Sequence, residues 1–219
     1  MSIIKRISLS ALGCFLSFNA SANSYLPAFV SNTDNLDNNS WSVSASLGYS
    51  EYQHMVGSDG KAPIGRLGFG AELLTTNHAI LGVELGLQSG NHMRLPVPEG
   101  AFGALCGAVR TSMRPMLDLL ITANANILRE SLLFTQLKGG VAYRHWQIEN
   151  IWINNKSQLA GEVQAGLGYP LTEISNLNLL YQGIFGGNPR LRANPLSDSG
   201  FIANMPIQHG VLFGFSIIA

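Results

Sequence analysis

The residues best able to do chemistry in this sequence are its charged side chains, which are few and regularly placed. Charged residues make up only 12% of the 219 residues, and 13 bases balance 13 acids. Nine of them fall in segments where apolar and polar residues alternate, and all nine occupy the polar positions. They are Arg66, Glu72, Glu84, Arg110, Arg114, Asp118, Lys138, Arg144 and Glu162. Because alternate residues of a β-strand face opposite sides, this placement predicts a charged face opposite an apolar one.

A balanced set of charges on one face fits the inside of a narrow closed barrel, where side chains fill the space. A buried charge without a partner costs several kcal/mol, so we expect a paired network. Lys138 and Glu162 would lie on neighbouring strands, and so would Glu84 and either Arg114 or Asp118. The partner of Lys138 would be Glu162 or Glu84. The network predicts a plugged lumen that holds the fold. The alternative is a gated pore lined by the same charges.

Other side chains capable of chemistry are scattered. The histidines are His54, His78, His92, His145 and His209, and four of them lie in or beside long connections. Ser50 and Glu51 beside His54 form the only local group that suits a lipid-modifying enzyme. No His or Cys cluster has metal-ligand spacing, and no glycine-rich segment leads into a helix as a phosphate site requires. Cys106 is interpreted as a buried spectator. We assign no catalytic, cofactor-binding or metal-binding residue.

The first 22 residues have the three parts of a secretory signal peptide. Lys5 and Arg6 supply positive charge, residues 7–18 form an apolar region, and small residues precede a cleavage site after Ala22. The alternatives are an N-terminal membrane anchor and lipidation at Cys14. As a helix the apolar region reaches ~18 Å, which is short of the ~30 Å hydrocarbon core of a bilayer. The sequence therefore predicts secretion followed by cleavage.

After a polar leader at 23–40, residues 41–219 consist of eight segments in which apolar and polar residues alternate. A period of two predicts β-strands, and each segment is long enough for a tilted membrane strand of about 9–11 residues. The segments are Trp41–Ser50, Ala62–Leu73, Ala79–Gln88, Arg110–Ile121, Leu132–His145, Gln158–Tyr169, Asn176–Phe185 and Ile207–Ile218. In the fourth segment Pro115 removes one ladder hydrogen bond, and Met113–Ala125 also suits a short helix.

The connections between these segments alternate between long and short. The long ones are Glu51–Lys61, Ser89–Val109, Trp146–Ser157 and Gly186–Pro206. Outer-membrane barrels have long extracellular loops and short periplasmic turns, so this rhythm predicts the orientation. The long loops carry aromatic and basic residues that suit binding. These predicted contact residues are Tyr52, Trp146, Trp152, Arg190, Arg192 and Phe201.

Several aromatic residues on the apolar positions lie near segment ends, where the two membrane interfaces would be. Aromatic rings with a polar group prefer the headgroup level of a bilayer. The predicted aromatic girdle consists of Trp41, Tyr49, Tyr143, Tyr169 and Phe185.

Segment length, alternation and loop rhythm resemble the small eight-stranded outer-membrane barrels, namely the transmembrane domain of OmpA, OmpX and the opacity proteins. The resemblance implies an all-β fold, an eight-stranded antiparallel up-and-down transmembrane β-barrel, in the outer membrane of a Gram-negative-type cell. It also implies contacts with outer-membrane lipid, lipopolysaccharide and the barrel assembly machinery. That machinery reads a terminal aromatic residue, but this chain ends at Ala219. Either Phe215 takes that role or recognition is weaker.

Three functions follow from this interpretation. The first is a structural or surface-recognition role, adhesin-like, in which the loops bind a host or surface ligand. The second is a narrow pore or small-solute transporter, and the third is a lipid-A-modifying membrane enzyme. A nucleic-acid partner is excluded, because the net charge is zero and such proteins carry a broad basic surface.

Overall fold

The computed structural model describes residues 40–56, 58–76, 79–97, 109–125, 132–149, 152–194, 196–197 and 199–219, with only the backbone of Trp152. The chain divides into two units, Met1–Val30 and Ser31–Ala219, and all described residues belong to the second. The predicted signal peptide, nearly all of the leader, His78 and Cys106 lie outside the described residues. Their assignments therefore remain predictions.

Eight long β-strands form the body of the described part of the chain. They are β1 (Trp41–Tyr52), β2 (Lys61–Thr75), β3 (Ala79–Gln88), β6 (Met116–Ala125), β7 (Phe134–Ile148), β9 (Lys156–Thr172), β10 (Ser175–Phe185) and β13 (Gln208–Ile218). Shorter strands are β4 (Asn91–Leu95), β5 (Val109–Met113), β8 (Trp152–Asn154), β11 (Leu191–Asn194) and β12 (Ser199–Ile202). The all-β prediction is confirmed, and the long strands match the predicted segments closely.

The long strands close into an antiparallel up-and-down barrel, as predicted. Each pairs with the next along the chain, in the order β1-β2-β3-β6-β7-β9-β10-β13. The first and last strands then pair along their length, from Ser42 opposite Ile218 to Tyr52 opposite Gln208. We call the end with Trp41, Ala219 and the short connections the turn end, and the opposite end the loop end.

Alternation gives the barrel an apolar outside and a polar inside. On β1 the outward side chains Trp41, Val43, Leu47 and Tyr49 are exposed, and Ser50 at the loop end of the inward row is buried. The outward row from Trp41 to Tyr49 covers a height of about 20 Å, at ~3.4 Å per residue and a tilt near 40°, close to the ~25 Å apolar band of membrane barrels. All eight long strands carry exposed apolar residues on this outer side, and such a band fits lipid and not water.

A second core lies above the lumen at the loop end. We call it the lid, and its buried residues are Tyr52, Met93, Leu95, Val109, Met113, Trp146, Ile148, Ile153, Leu191, Ile202 and Met205. They come from the ends of long strands, from β4 and β5, and from a small sheet in the order β11-β12-β8, while Met205 lies in the connection between β12 and β13. Apolar residues from separate loops therefore pack together outside the membrane band.

The fourth predicted segment is strand, but it is interrupted. β5 ends at Met113 and β6 begins at Met116, with Arg114 and Pro115 between them. The alternative of a helix from Met113 to Ala125 is wrong, because this stretch pairs with β3 and β7. Within the described ranges, no helix is long and apolar enough to cross a bilayer.

Candidate functional site

Four charged side chains pair inside the lumen, and we call them the charge cluster: Arg66, Glu84, Asp118 and Lys138. The Arg66 guanidinium donates to both carboxylates, with Nη1 at 2.6 Å from Glu84 Oε1 and Nη2 at 2.5 Å from Asp118 Oδ1. Lys138 Nζ donates to the other oxygen of Glu84 at 2.8 Å. All four side chains are buried, and their formal charges cancel. The cluster therefore ties β2, β3, β6 and β7 together through the lumen.

A glycine makes the tightest contact of this cluster possible. Gly86 of β3 is the register partner of Asp118, so it lies between the strands that carry Arg66 and Asp118. A Cβ added at Gly86 would come within 2.5 Å of Asp118 Oδ2 and would also overlap the Arg66 guanidinium. Because Gly86 has no side chain, the Arg66 guanidinium and the Asp118 carboxylate have room to form two hydrogen bonds with each other.

A second polar group crosses the lumen at Glu162, and we call it the glutamine cluster. Glu162 Oε1 accepts hydrogen bonds from Gln164 Nε2 at 2.7 Å and from Gln182 Nε2 at 2.6 Å. Gln182 Nε2 also donates to Gln88 Oε1 at 2.9 Å. Gln182 lies on β10 and Gln88 on β3, which are on opposite walls of the barrel. Side chains from facing walls of the barrel therefore meet in the lumen.

Arg144 is held between the glutamine cluster and the lid. Its Nη1 donates to the carbonyl oxygen of Pro206 at 2.8 Å, but its Nε and Nη2 have no protein partner in the described part of the chain. Glu162 Oε2 and both amide atoms of Gln208 are also buried and without a protein partner there. Buried polar groups of this kind are normally satisfied by ordered water. This level of the lumen is therefore polar, and the apolar lid lies above it.

The pairing inside the lumen differs from the sequence prediction in its details. Of the two partners predicted for Lys138, the structure shows Glu84 and not Glu162. Glu84 also pairs with Arg66. Glu72 lies near the turn end, where its carboxylate accepts a hydrogen bond from Ser40 Oγ. It borders a cavity of about 60 Å³ that ends at Glu84 and Lys138.

Arg110 and Arg114 are not in the lumen, which corrects the sequence prediction. Both are exposed, and Arg114 Nε and Nη2 donate to Gln147 Oε1 at 3.1 and 2.9 Å on the outside of the wall. The reason is the break at Arg114 and Pro115. The inward-facing residues of β5 are the odd-numbered ones, whereas the inward-facing residues of β6 are the even-numbered ones. A two-residue irregularity inverts the alternation, as bulges and prolines in strands often do.

The predicted loop contacts divide into buried and exposed residues. Tyr52 and Trp146 are buried in the lid, so the expectation that they are exposed was wrong. Arg190, Arg192 and Phe201 are exposed, and the Arg192 guanidinium lies 5.7 Å from the centre of the Phe201 ring. The side chain of Trp152 lies outside the described residues.

Most of the predicted aromatic girdle lies on the outer surface. Trp41, Tyr49, Tyr143 and Phe185 are exposed, and Tyr169 is half-buried. Trp41 also stacks on Phe69 with 5.2 Å between ring centres. Their role as membrane-interface anchors remains a prediction.

Two of the five histidines, His145 and His209, are hydrogen-bonded on the outer rim to partners that the sequence did not predict. His145 Nδ1 lies 2.7 Å from Ser157 Oγ, which also accepts from the Tyr143 hydroxyl at 3.0 Å. His209 Nδ1 bonds the Tyr181 hydroxyl at 2.5 Å. His145 and Ser157 are register partners on β7 and β9, so pairing the predicted segments would have been the signal. In the described ranges, no group of three or more His, Cys, Asp or Glu residues could hold a metal ion.

Comparisons with known proteins find the same fold in solved structures. No protein-family model matches the sequence, and no curated protein matches it significantly. The outer membrane protein OprG of Pseudomonas aeruginosa matches with a TM-score of 0.54 and 12% identity, over 83% of this chain and 96% of that one. Ail of Yersinia pestis, solved with the heparin analogue sucrose octasulfate, matches with a TM-score of 0.48 and 11% identity over 83% of this chain and 99% of that one. The fold is thus that of the small eight-stranded transmembrane barrels.

Proposed function

We propose that this protein is an integral outer-membrane barrel with a plugged lumen, whose loop end recognises a ligand at the cell surface. The exposed apolar band supports membrane insertion, because such a band is stable in lipid and not in water. The OprG-like fold is consistent with this location. After insertion, the turn end with both ends of the barrel faces the periplasm and the loop end faces outward.

The main support for a plugged lumen is that side chains from opposite walls of the barrel meet inside it. Gln88 and Gln182 bond across it, and the charge cluster fills the neighbouring cross-section. The lid then covers the loop end with apolar side chains. Ions would have to break the charge cluster and part the lid in order to pass. The protein therefore holds its lumen closed and works through its outer surface.

The loop end is built to present residues in a fixed arrangement. The lid joins the described loop segments into one core, so Arg192 and Phe201 stand on packed elements and not on free chain. Rigid aromatic and arginine side chains are the usual anchors of binding surfaces. The described loop end is also basic. Its bases are Lys61, Arg94, Arg110, Arg114, Lys156, Arg190 and Arg192, and its acids are Glu51, Asp59 and Glu149. The ligand of this surface is therefore anionic.

Assembly would use the last strand. Phe213 and Phe215 of β13 face outward and are exposed. Phe215 is our choice for the aromatic signal that the barrel assembly machinery reads. Lipid and lipopolysaccharide of the outer membrane would surround the apolar band.

The proposed plug is tested by measuring barrel formation and ion conductance on the same sample. The purified protein is refolded into lipid vesicles, and heat-modifiable gel mobility verifies the barrel. The same sample is then placed in a planar bilayer. We expect a folded barrel without resolved single-channel openings. Regular openings, together with altered conductance for Lys138→Ala, would instead favour the pore and overturn the plug.

Ester hydrolysis on an outer-leaflet lipid is a second candidate, favoured by the contact of His145 with Ser157. A serine bonded to a histidine is the nucleophile–base pair of acyl transfer, and this pair faces the lipid. Within the described residues no carboxylate bonds His145, so the pair is a dyad without an orienting acid. Fatty-acid release from vesicle lipids, measured by mass spectrometry and lost in Ser157→Ala, would establish it. If the parent protein releases no fatty acid, ester hydrolysis is excluded as its function.

A further inference from the structure

A row of outward-facing arginines continues the barrel wall above the apolar band. β4 and β5 extend the β3–β6 hairpin beyond the membrane, and β5 also pairs with the loop end of β7. We propose that the outer side of this extension is a binding face for the phosphate groups of an outer-leaflet glycolipid. We call it the arginine face, and it consists of Arg94, Arg110 and Arg114 with Ser112 and Gln147. The inference rests on the proposed function, because it requires the barrel to stand in the outer membrane.

The arginines share one side because the alternation inverts twice at the same level. Ser89 and Gly90 separate β3 from β4, just as Arg114 and Pro115 separate β5 from β6. A Cβ at Gly90 would overlap the carbonyl oxygen of Met113, so the two breaks lie against each other. Past them, Met93 and Met113 turn inward to the lid, and the arginines turn outward. The inversion is thus the device that places apolar residues in the lid and bases outside.

The arginine face has more positive charge than its protein partners neutralise. Arg94 and Arg110 are direct register partners, and like charges in that position repel. Asp59 binds Arg94, with Nη2 donating to Oδ1 at 3.1 Å, and these hydrogen bonds lower the pKa of the Asp59 carboxyl. Arg114 has only the neutral amide of Gln147. Among the described residues, no carboxylate forms an ion pair with Arg110 or Arg114. An anion bound here would relieve the repulsion.

The height of the arginine face matches the headgroup level. Leu87 of β3, Leu117 of β6 and Tyr143 of β7 are the last exposed apolar residues below it on the same wall. A lipid whose acyl chains lie against these residues brings its phosphates to the arginines. Arg110 and Arg114 are four residues apart on one outward row, which is ~13 Å along a strand. That separation serves two phosphates on one headgroup, and guanidinium groups bind phosphate oxygens in bidentate fashion.

The rim residues beside this face supply neutral hydrogen-bonding groups. The backbone N–H of Arg114 donates to the carbonyl oxygen of His145 at 3.0 Å, which places His145 and its partner Ser157 next to the face. Hydroxyl and imidazole groups bind sugar hydroxyls. A phosphorylated sugar headgroup therefore matches this part of the rim, because the arginines would bind its phosphates and the neutral hydroxyl and imidazole groups would bind its sugar hydroxyls.

A matched pair of double variants tests the proposal. In Arg110→Gln with Arg114→Gln the arginine face loses both charges that have no acidic partner. Thr75→Gln with Glu173→Gln changes two exposed residues at the turn end, away from every base of the loop end. Each protein is refolded into phosphatidylcholine vesicles containing a bisphosphorylated lipid A, and the glycolipid that co-purifies is measured by mass spectrometry. We expect the first variant to retain about tenfold less glycolipid, and the second to retain as much as the parent.

The outcomes separate this inference from the proposed function. If both variants retain glycolipid equally while gel mobility still shows a closed barrel, the arginine face is refuted and the proposed function stands. If the parent does not form a heat-modifiable barrel, or conducts ions, the proposed function fails first. Inorganic phosphate is added as a competitor in a parallel arm. If millimolar phosphate releases all of the retained glycolipid, the face recognises phosphate alone and does not select a lipid, which also overturns the proposal.

Discussion

Replacing Arg66 with Met should reveal whether the lumen is a dry plug. Arg66 is the only residue whose side chain bonds Asp118 in the described part of the chain, through Nη2 at 2.5 Å and Nε at 3.1 Å. Glu84 would keep Lys138, but Asp118 would remain buried without a partner. Breaking a buried pair in this way costs about 3–5 kcal/mol. An exposed pair in a hydrated pore would cost less than about 1 kcal/mol.

The same reasoning predicts rescue by a second substitution. In Arg66→Met with Asp118→Leu the unpaired carboxylate is gone, and replacing a whole buried pair by apolar residues is often neutral. The double variant should therefore regain most of the lost free energy of unfolding. Arg192→Met, which changes an exposed arginine, should alter it by less than about 0.5 kcal/mol.

Equilibrium unfolding by urea in lipid vesicles is the assay, followed by tryptophan fluorescence and by gel mobility. The plug requires a large loss in the single variant and recovery in the double variant. If Arg66→Met unfolds like the parent, water already screens Asp118, and the argument for a dry lumen is wrong. If single and double variants are equally destabilised, the loss reflects packing and not an unpaired charge.

Three further outcomes follow from the geometry. Gly86→Ala should destabilise the barrel in the same urea assay, because its Cβ displaces the pair on Asp118, while Gly65→Ala should be close to neutral since the nearest atom to its Cβ is 3.7 Å away. Val163→Arg should cost about 2–4 kcal/mol in vesicles because it places a charge against lipid, whereas Val163→Leu should not. The hydrogen bonds from Arg94 lower the pKa of the Asp59 carboxyl, so the contact of the first loop with β4 is complete above the ordinary Asp pKa of 3.8. The contact should be lost as the pH falls through the lowered pKa. An NMR titration in which the Arg94 Nε–H signal stays flat down to pH 2 would contradict this prediction.

The strands were predictable from sequence because one physical constraint governs them. Lipid outside and polar side chains inside force a strict alternation, so β3 was predicted with its observed bounds Ala79–Gln88. The same constraint placed Arg66, Glu84, Asp118, Lys138 and Glu162 in the lumen. It failed where alternation itself breaks. At Arg114 and Pro115 the inward-facing positions change from odd-numbered to even-numbered residues. The composition of the segment does not show on which side of this break the charged residues face the lumen.

Contacts that depend on register or on loop packing could not be predicted. Lys138 reaches Glu84 across β6, so the order of the strands alone did not decide between Glu84 and Glu162 as its partner. The dyad of His145 and Ser157 forms through the register of β7 and β9. The lid joins residues from distant loops, and nothing local in the sequence shows that Trp146 turns inward while Arg192 stays exposed.

The seam between β1 and β13 has a consequence for the kinetics of assembly. These strands pair from Ser42 opposite Ile218 onwards, so closing the barrel joins the two ends of the domain. Until that moment an inserted sheet would expose the charge cluster and two unpaired strand edges to hydrocarbon, which the bilayer core does not tolerate. Insertion and closure must therefore be concerted. Such non-local pairing makes folding slow, so spontaneous refolding into vesicles should take far longer than formation of any single hairpin.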